Sequence, residues 1–161
     1  VSYHTYEVES NIRILARNVE PAFRKACRDR TVRREIGSDM VDTQMSLPEL
    51  LGQVGYAAEI DADGGITRVW SESDTHYGLE YVLFAIAPFV EDDCYIQMTS
   101  EDQLSWVWYF QDGQCFELDF TVTALRDKSL KQRVAECIEV RKAHKAEKAK
   151  QRGREKKRKP G

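Results

Sequence analysis

The stretch from Tyr95 to Val122, YIQMTSEDQLSWVWYFQDGQCFELDFTV, holds three apolar and aromatic runs separated by two polar turns. Alternation within a run is the mark of a half-buried strand, and short polar breaks make neighbouring strands antiparallel. The pattern predicts a three-stranded meander. Which side chains it offers to a core depends on one turn, Gln111-Asp112-Gly113-Gln114. A two-residue Asp-Gly turn pairs Gln111 with Gln114. Tyr109 and Val107 then share a face with Phe116 and Leu118, while Trp106 and Trp108 face the other way, beside Tyr95 and Thr99. A three-residue loop with a bulged Gly113 pairs Phe110 with Gln114 instead and sends the tryptophans into the shared core. A slip of one residue exchanges the faces of a whole strand, so both registers stay open.

Upstream, Tyr6, Val8, Ile12 and Ile14 alternate with polar residues and predict a strand to about Leu15. Pro21 argues against one helix through the whole region, so a helix is expected from an Asn18 cap to about Asp29. Residues 30–45 are ambiguous, and Arg28, Arg30, Arg33 and Arg34 read as a solvated face. Ser46-Leu47-Pro48-Glu49 is a capping box, with Leu47, Leu50, Leu51 and Val54 at helical spacing and Gly55 as terminator. Tyr56–Ile60 and Ile66–Trp70 flank Asp61-Ala62-Asp63-Gly64-Gly65 as a hairpin. Glu59, Asp61, Asp63 and Gly64 match part of a calcium-binding EF-hand loop, but Trp70 stands where the bidentate Glu belongs, and no metal is expected.

Asp74 or Thr75 can cap a helix from Tyr77 to Phe89, whose stripe Leu79, Val82, Leu83, Ile86 and Val90 suits the underside of the sheet. After the meander, Ser129-Leu130-Lys131-Gln132 is a second capping box, and the stripe Leu130, Val134, Cys137 and Ile138 ends there. The expected fold class is α+β in the order β-α-α-ββ-α-βββ-α. An antiparallel sheet of the N-terminal strand, the hairpin and the meander packs with about four helices.

The net charge of −3 conceals a segregation. Residues 141–161 hold 11 Lys and Arg against 2 Asp and Glu, whereas 1–140 hold 13 against 25. The expectation is an acidic domain over 1–140 and a basic tail over 141–161, helical at first and disordered from Gly153. No run of about 18 apolar residues predicts a membrane span. The first residues, VSYHTYEVES, lack the basic and apolar parts of a secretory signal. A cytoplasmic location is expected, or a nuclear one in a eukaryotic source, since Lys156-Lys157-Arg158-Lys159 looks like an import signal. Cys27, Cys94, Cys115 and Cys137 read as reduced thiols, with a Cys94–Cys115 bridge as the other reading. His4, His76 and His144 do not join them at zinc-ligand spacing, and no cofactor is expected.

One resemblance rests on Ala87-Pro88-Phe89-Val90-Glu91-Asp92, Tyr95-Ile96-Gln97-Met98, Glu101-Asp102, Trp106-Val107-Trp108-Tyr109-Phe110 and Asp112-Gly113. Over about 46–118 the chain resembles a group of small, functionally uncharacterised proteins of bacteriophages and mobile elements. The resemblance implies a compact α+β fold and no known activity. Asp93-Cys94, Val107 and the long basic tail depart from the group's pattern.

No motif of a nucleophile, a phosphate loop or a metallohydrolase is present, and the acids Glu91, Asp92, Asp93, Glu101 and Asp102 fall in expected turns. The expected function is that of a non-catalytic accessory protein, encoded by a phage or mobile element, that binds a protein partner through its acidic body. The alternative is nucleic-acid binding by the tail, through Arg141, Lys142, Lys145, Lys148, Lys150, Arg152, Arg154, Lys156, Lys157, Arg158 and Lys159. In that case Trp106, Trp108 and Tyr95 could add an aromatic platform for unpaired bases. A third reading has the tail neutralise the body of a second copy.

Overall fold

The computed structural model describes residues 4–72, 78–121 and 130–158. The chain divides into two compact units, Val1–Thr121 and Val122–Gly161. The first unit runs β1 Thr5–Ser10, α1 Ala16–Arg28, α2 Arg30–Ile36, α3 Ser38–Asp42, α4 Leu47–Gln53, β2 Tyr56–Ile60, β3 Ile66–Ser71, α5 Leu79–Ile86, a 3-10 turn Ala87–Phe89, β4 Tyr95–Ser100, β5 Leu104–Gln111 and β6 Gln114–Thr121. The second unit carries α6, Leu130–Arg158. The class is α+β with antiparallel sheets, as the pattern predicts.

Asp112 and Gly113 both take positive φ, 53° and 72°. Two consecutive positive values match a type I′ turn, whose twist suits the strands it joins. The turn therefore pairs Gln111 with Gln114, and Tyr109 with Phe116 follows. The Asp112 N–H donates to Asp92 Oδ1 at 2.9 Å, which ties the turn to the loop entering β4. The tryptophans nevertheless do not lie beside Tyr95 and Thr99 as expected for this register: the β4–β5 pairing, which this turn does not set, puts Ile96 opposite Trp108 and Met98 opposite Trp106. With Phe110 they make the sheet's core face, where Ile96 and Met98 are fully buried and Trp108 is nearly so. Phe84 of α5 meets Trp108 edge-on, ring centroids 5.7 Å apart. Val107, Tyr109 and Leu118 are buried on the opposite face.

Four details differ from the sequence pattern. First, the sheet has four strands in the order β1-β4-β5-β6, and β2 and β3 form a separate two-stranded sheet. The Glu7 carboxylate accepts the Ser71 N–H and Tyr56 Oη donates to Met98 Sδ, so the two sheets are linked through side chains. Second, β1 stops at Ser10, and a register shift between Glu7 and Glu9 breaks its alternation. Tyr6, opposite Thr99 ahead of the shift, is exposed. Ile12 and Ile14 are buried beyond the strand, Ile14 bridging to Ile66.

Third, the ambiguous 30–45 region holds two short helices, giving six in all among the described residues. Asp29 makes the first possible, because its Oδ1 accepts the Thr31 and Val32 amides. α1 begins at Ala16, earlier than an Asn18 cap would allow, with Pro21 in its first turns. Fourth, the helix expected over Tyr77–Phe89 is α5 followed by the 3-10 turn, starting after Gly78. The proposed caps Asp74, Thr75 and Ser129 lie outside the described residues. The Ser46 cap is formed, its Oγ accepting the Glu49 amide at 3.3 Å, while the Glu49 carboxylate reaches Met45 N.

Gly65 and Gly52 have opposite roles. A Cβ on Gly65 would stand 3.1 Å from Ile14 O and 3.2 Å from Ala16 N, backbone atoms at the entrance to α1, whereas one on Gly52 would meet nothing within 4 Å. Gly65→Ala should therefore lower stability by about 1–3 kcal/mol, and Gly52→Ala should raise it by about 0.5 kcal/mol. Urea unfolding of both variants checks the pair, and equal effects would contradict the close approach.

Candidate nucleic-acid interface

The chemistry of α6 starts from its composition. Between Glu139 and Arg158 there are ten Lys and Arg against three Glu, and each of these twenty residues is exposed. Val134 and Ile138 are buried in its first part. The helix passes through Gly153, where disorder was expected to begin, and continues to Arg158, the last described residue. Of the candidate tail residues, Arg141, Lys142, Lys145, Lys148, Lys150, Arg152, Arg154, Lys156, Lys157 and Arg158 lie on this helix, and Lys159 is outside the described residues.

Helical geometry sorts these cations. Arg141, Lys145, Lys148, Arg152 and Lys156 are spaced by four, three, four and four residues. At 3.6 residues per turn they share an arc of about 80° and form a stripe ~22 Å long. Neighbours at these spacings face each other, and each like-charged pair destabilises a helix by about 0.2–0.5 kcal/mol. Internal relief is slight. Lys142 lies 3.7 Å from Glu139, both well exposed, and such a pair contributes little. The last-turn cations Lys156, Lys157 and Arg158 do favour the helix dipole. A stripe of this kind gains from any polyanion laid along it.

The aromatic residues behave differently. Trp108 is buried in the core, Trp106 is partly buried against it, and Tyr95 pairs with Tyr109 on the opposite face. The three do not form an open platform. The β4–β5 pairing turns both tryptophans away from Tyr95, toward Ile96 and Met98.

The acids in turns act as acceptors. Asp93 accepts from the Tyr109 hydroxyl, and Asp92 from Asp112 N. Among the described residues, no group of three or more His, Cys, Asp or Glu is placed to hold a metal ion. All four cysteines are free, so Cys94 and Cys115 are not bridged.

The first unit also separates its charges. Within 1–121, eight of the nine Lys and Arg lie between Arg13 and Arg34, with two acids among them, and the remainder holds Arg68 against twenty acids. Arg33 is held by Asp42 in a two-pronged pair at 2.8 and 3.0 Å, and Arg34 meets Glu35 at 2.7 Å. Arg24, Lys25, Arg28 and Arg30 instead line one open concavity. The sequence reading grouped Arg28 and Arg30 with Arg33 and Arg34 as a solvated face and passed over Arg24 and Lys25. The available signal was the confinement of the body's cations to one segment.

Compared with protein-family models, with curated proteins and with solved structures, the chain matches none.

Several groups hold protons unusually tightly. Burial, reinforced by Glu117, pushes the Cys115 thiol up to about 12. Burial and a hydrogen bond with Glu9 push Tyr95 up to about 12. Burial raises Tyr56 and Tyr109 further, with Asp93 adding to the shift at Tyr109. An unfolded thiol ionises near ~8.5 and a phenol near ~10. The stability these groups contribute is complete below those values and is lost as pH rises through the folded ones. The urea midpoint should fall from about pH 9 upward, and Cys115→Val should flatten the first part of that fall. An unchanged curve for the variant would show that the thiol does not contribute.

Proposed function

We propose that this chain is a non-catalytic nucleic-acid-binding protein whose binding element is α6. The observation carrying this reading is the stripe Arg141, Lys145, Lys148, Arg152 and Lys156 on twenty consecutive exposed residues. Duplex DNA carries one negative charge per ~1.7 Å of axis with both strands counted, so a stripe of ~22 Å runs beside a length of duplex holding about a dozen phosphates, part of them on the facing side. Five cations on one side can each find a phosphate without bending the helix. Binding releases counterions and removes the repulsion along the stripe, so the complex gains twice. Contacts to phosphate carry no sequence information, and with the tryptophans turned inward the reading is of sequence-tolerant binding.

The acidic surface favours a second reading. Outside residues 13–34 the first unit has twenty acids and one base, a field that attracts basic protein surfaces and repels phosphate. A protein partner held there while α6 engages nucleic acid would make the chain an adaptor. The resemblance to bacteriophage and mobile-element proteins supports an origin in such a genome, as an accessory protein.

The test is a fluorescence-anisotropy titration of a 20-base-pair duplex across a salt series. Replacing the five stripe residues by alanine keeps the helix, since alanine is the best helix former. The variant should lose about four to five units from the slope of log K against log salt and bind about 100-fold more weakly near ~100 mM. Equal slopes for the two proteins would refute the role of α6.

A further inference from the structure

We infer that the first unit carries a second phosphate-binding site, an open trough between α1 and α2 that takes the phosphodiester backbone of nucleic acid. The trough has a volume of about 690 Å³ and is lined by Pro21, Arg24, Lys25, Arg28, Asp29, Arg30 and Thr31. Pro21, Lys25 and Arg28 fall on one side of α1 at spacings of four and three, with Arg24 one turn before Arg28. Arg30 joins them from α2. Four cationic side chains from two helices thus border one concavity.

Little inside the molecule neutralises them. Asp29 is the single acid of the lining, and its Oδ1 already accepts the Thr31 and Val32 amides at 2.8 and 3.0 Å. Arg24 has a loose, exposed partner in Glu20 at 3.6 Å. Lys25, Arg28 and Arg30 are exposed. None of these three side chains makes an ion pair or hydrogen bond among the described residues. The neighbouring Arg33 and Arg34, by contrast, are matched to Asp42 and Glu35. Unmatched cations crowded on a body with an acid excess stand out for that reason.

Shape and side-chain type select the ligand. The trough is open along its outer side, which suits a polymer lying across it better than a small molecule enclosed by it. Three of the four cations are arginines, whose planar fork engages phosphate oxygens in pairs. This site rests on the nucleic-acid reading of α6 but uses different residues in a different unit, so the two can fail separately.

The test uses the full chain with Lys25→Gln, Arg28→Gln and Arg30→Gln combined, all at exposed positions where folding is little affected. Duplex titrations across salt should show the slope reduced by about two to three and the affinity at ~50 mM salt about tenfold weaker. Tripolyphosphate added to the wild-type chain should shift the backbone amide resonances of residues 24–31. An unchanged slope in the triple variant, with binding still lost in the stripe variant, overturns the trough and leaves α6 standing. Absence of any duplex binding by the wild type overturns the α6 reading. The assignment of the trough to a phosphodiester backbone falls with it, even if tripolyphosphate shifts 24–31. Poly-glutamate matching an oligonucleotide of equal charge in shifting those amides would assign the trough to acidic proteins and refute the proposal.

Discussion

The facing of β6 against the core strand β5 depends on the two-residue turn at Asp112-Gly113. Positive φ at both positions pairs Gln111 with Gln114, and the two-residue period of a strand carries that choice along β5 and β6. The β4–β5 pairing sets Trp106 and Trp108 opposite Met98 and Ile96, and Phe84 from α5 closes on Trp108. A slip of one residue at this turn would instead bring Phe116 and Leu118 to the face that holds Trp108 and Phe110. The Asp92 carboxylate holds the turn from outside, so one acid of the Glu91-Asp92-Asp93 run contributes to architecture.

The proposed function follows from what the core consumes. With Trp108 and Trp106 turned into the core, they and Tyr95 form no open platform, and the proposed recognition passes to charge. Charge is segregated at two scales. Along the chain, an acidic unit precedes a basic helix. Within the unit, cations gather in α1 and α2 while acids occupy the other surfaces. Salt at physiological strength screens fields beyond ~8 Å, so each patch acts locally and the net charge of −3 says little about any of them. A phosphate chain meeting α6 or the α1–α2 trough meets a positive surface even though the molecule as a whole is negative.

Elements with local signals were legible. The Ser46 cap and the hairpin around Gly64 follow from side-chain and turn chemistry within a few residues, and so does the α5 stripe. Elements fixed by distant partners were not. The β2–β3 hairpin reads the same whether it joins the large sheet or stands beside it. The break in the alternation of β1 is a register shift against β4, more than eighty residues away. The second turn of the meander was legible as a turn but not as a type, because Asp-Gly suits both a two-residue turn and the start of a bulged loop. At the candidate site, the basic residues of α6 were legible from composition. Their alignment needed the helix to run on through Gly153, where a glycine costs about 1 kcal/mol and suggests a stop. The trough was hidden because Arg24, Lys25, Arg28 and Arg30 converge only when α2 turns back beside α1.

Hydrogen exchange of the full chain, with and without a 20-base-pair duplex at low salt, tests the central claim most directly. The exposed half of α6 has little packing to slow exchange, so a bound polyanion should change it more than any packed element. The account predicts marked slowing across the amides of residues 139–158. Unchanged exchange in α6 under conditions where the duplex is bound would contradict it.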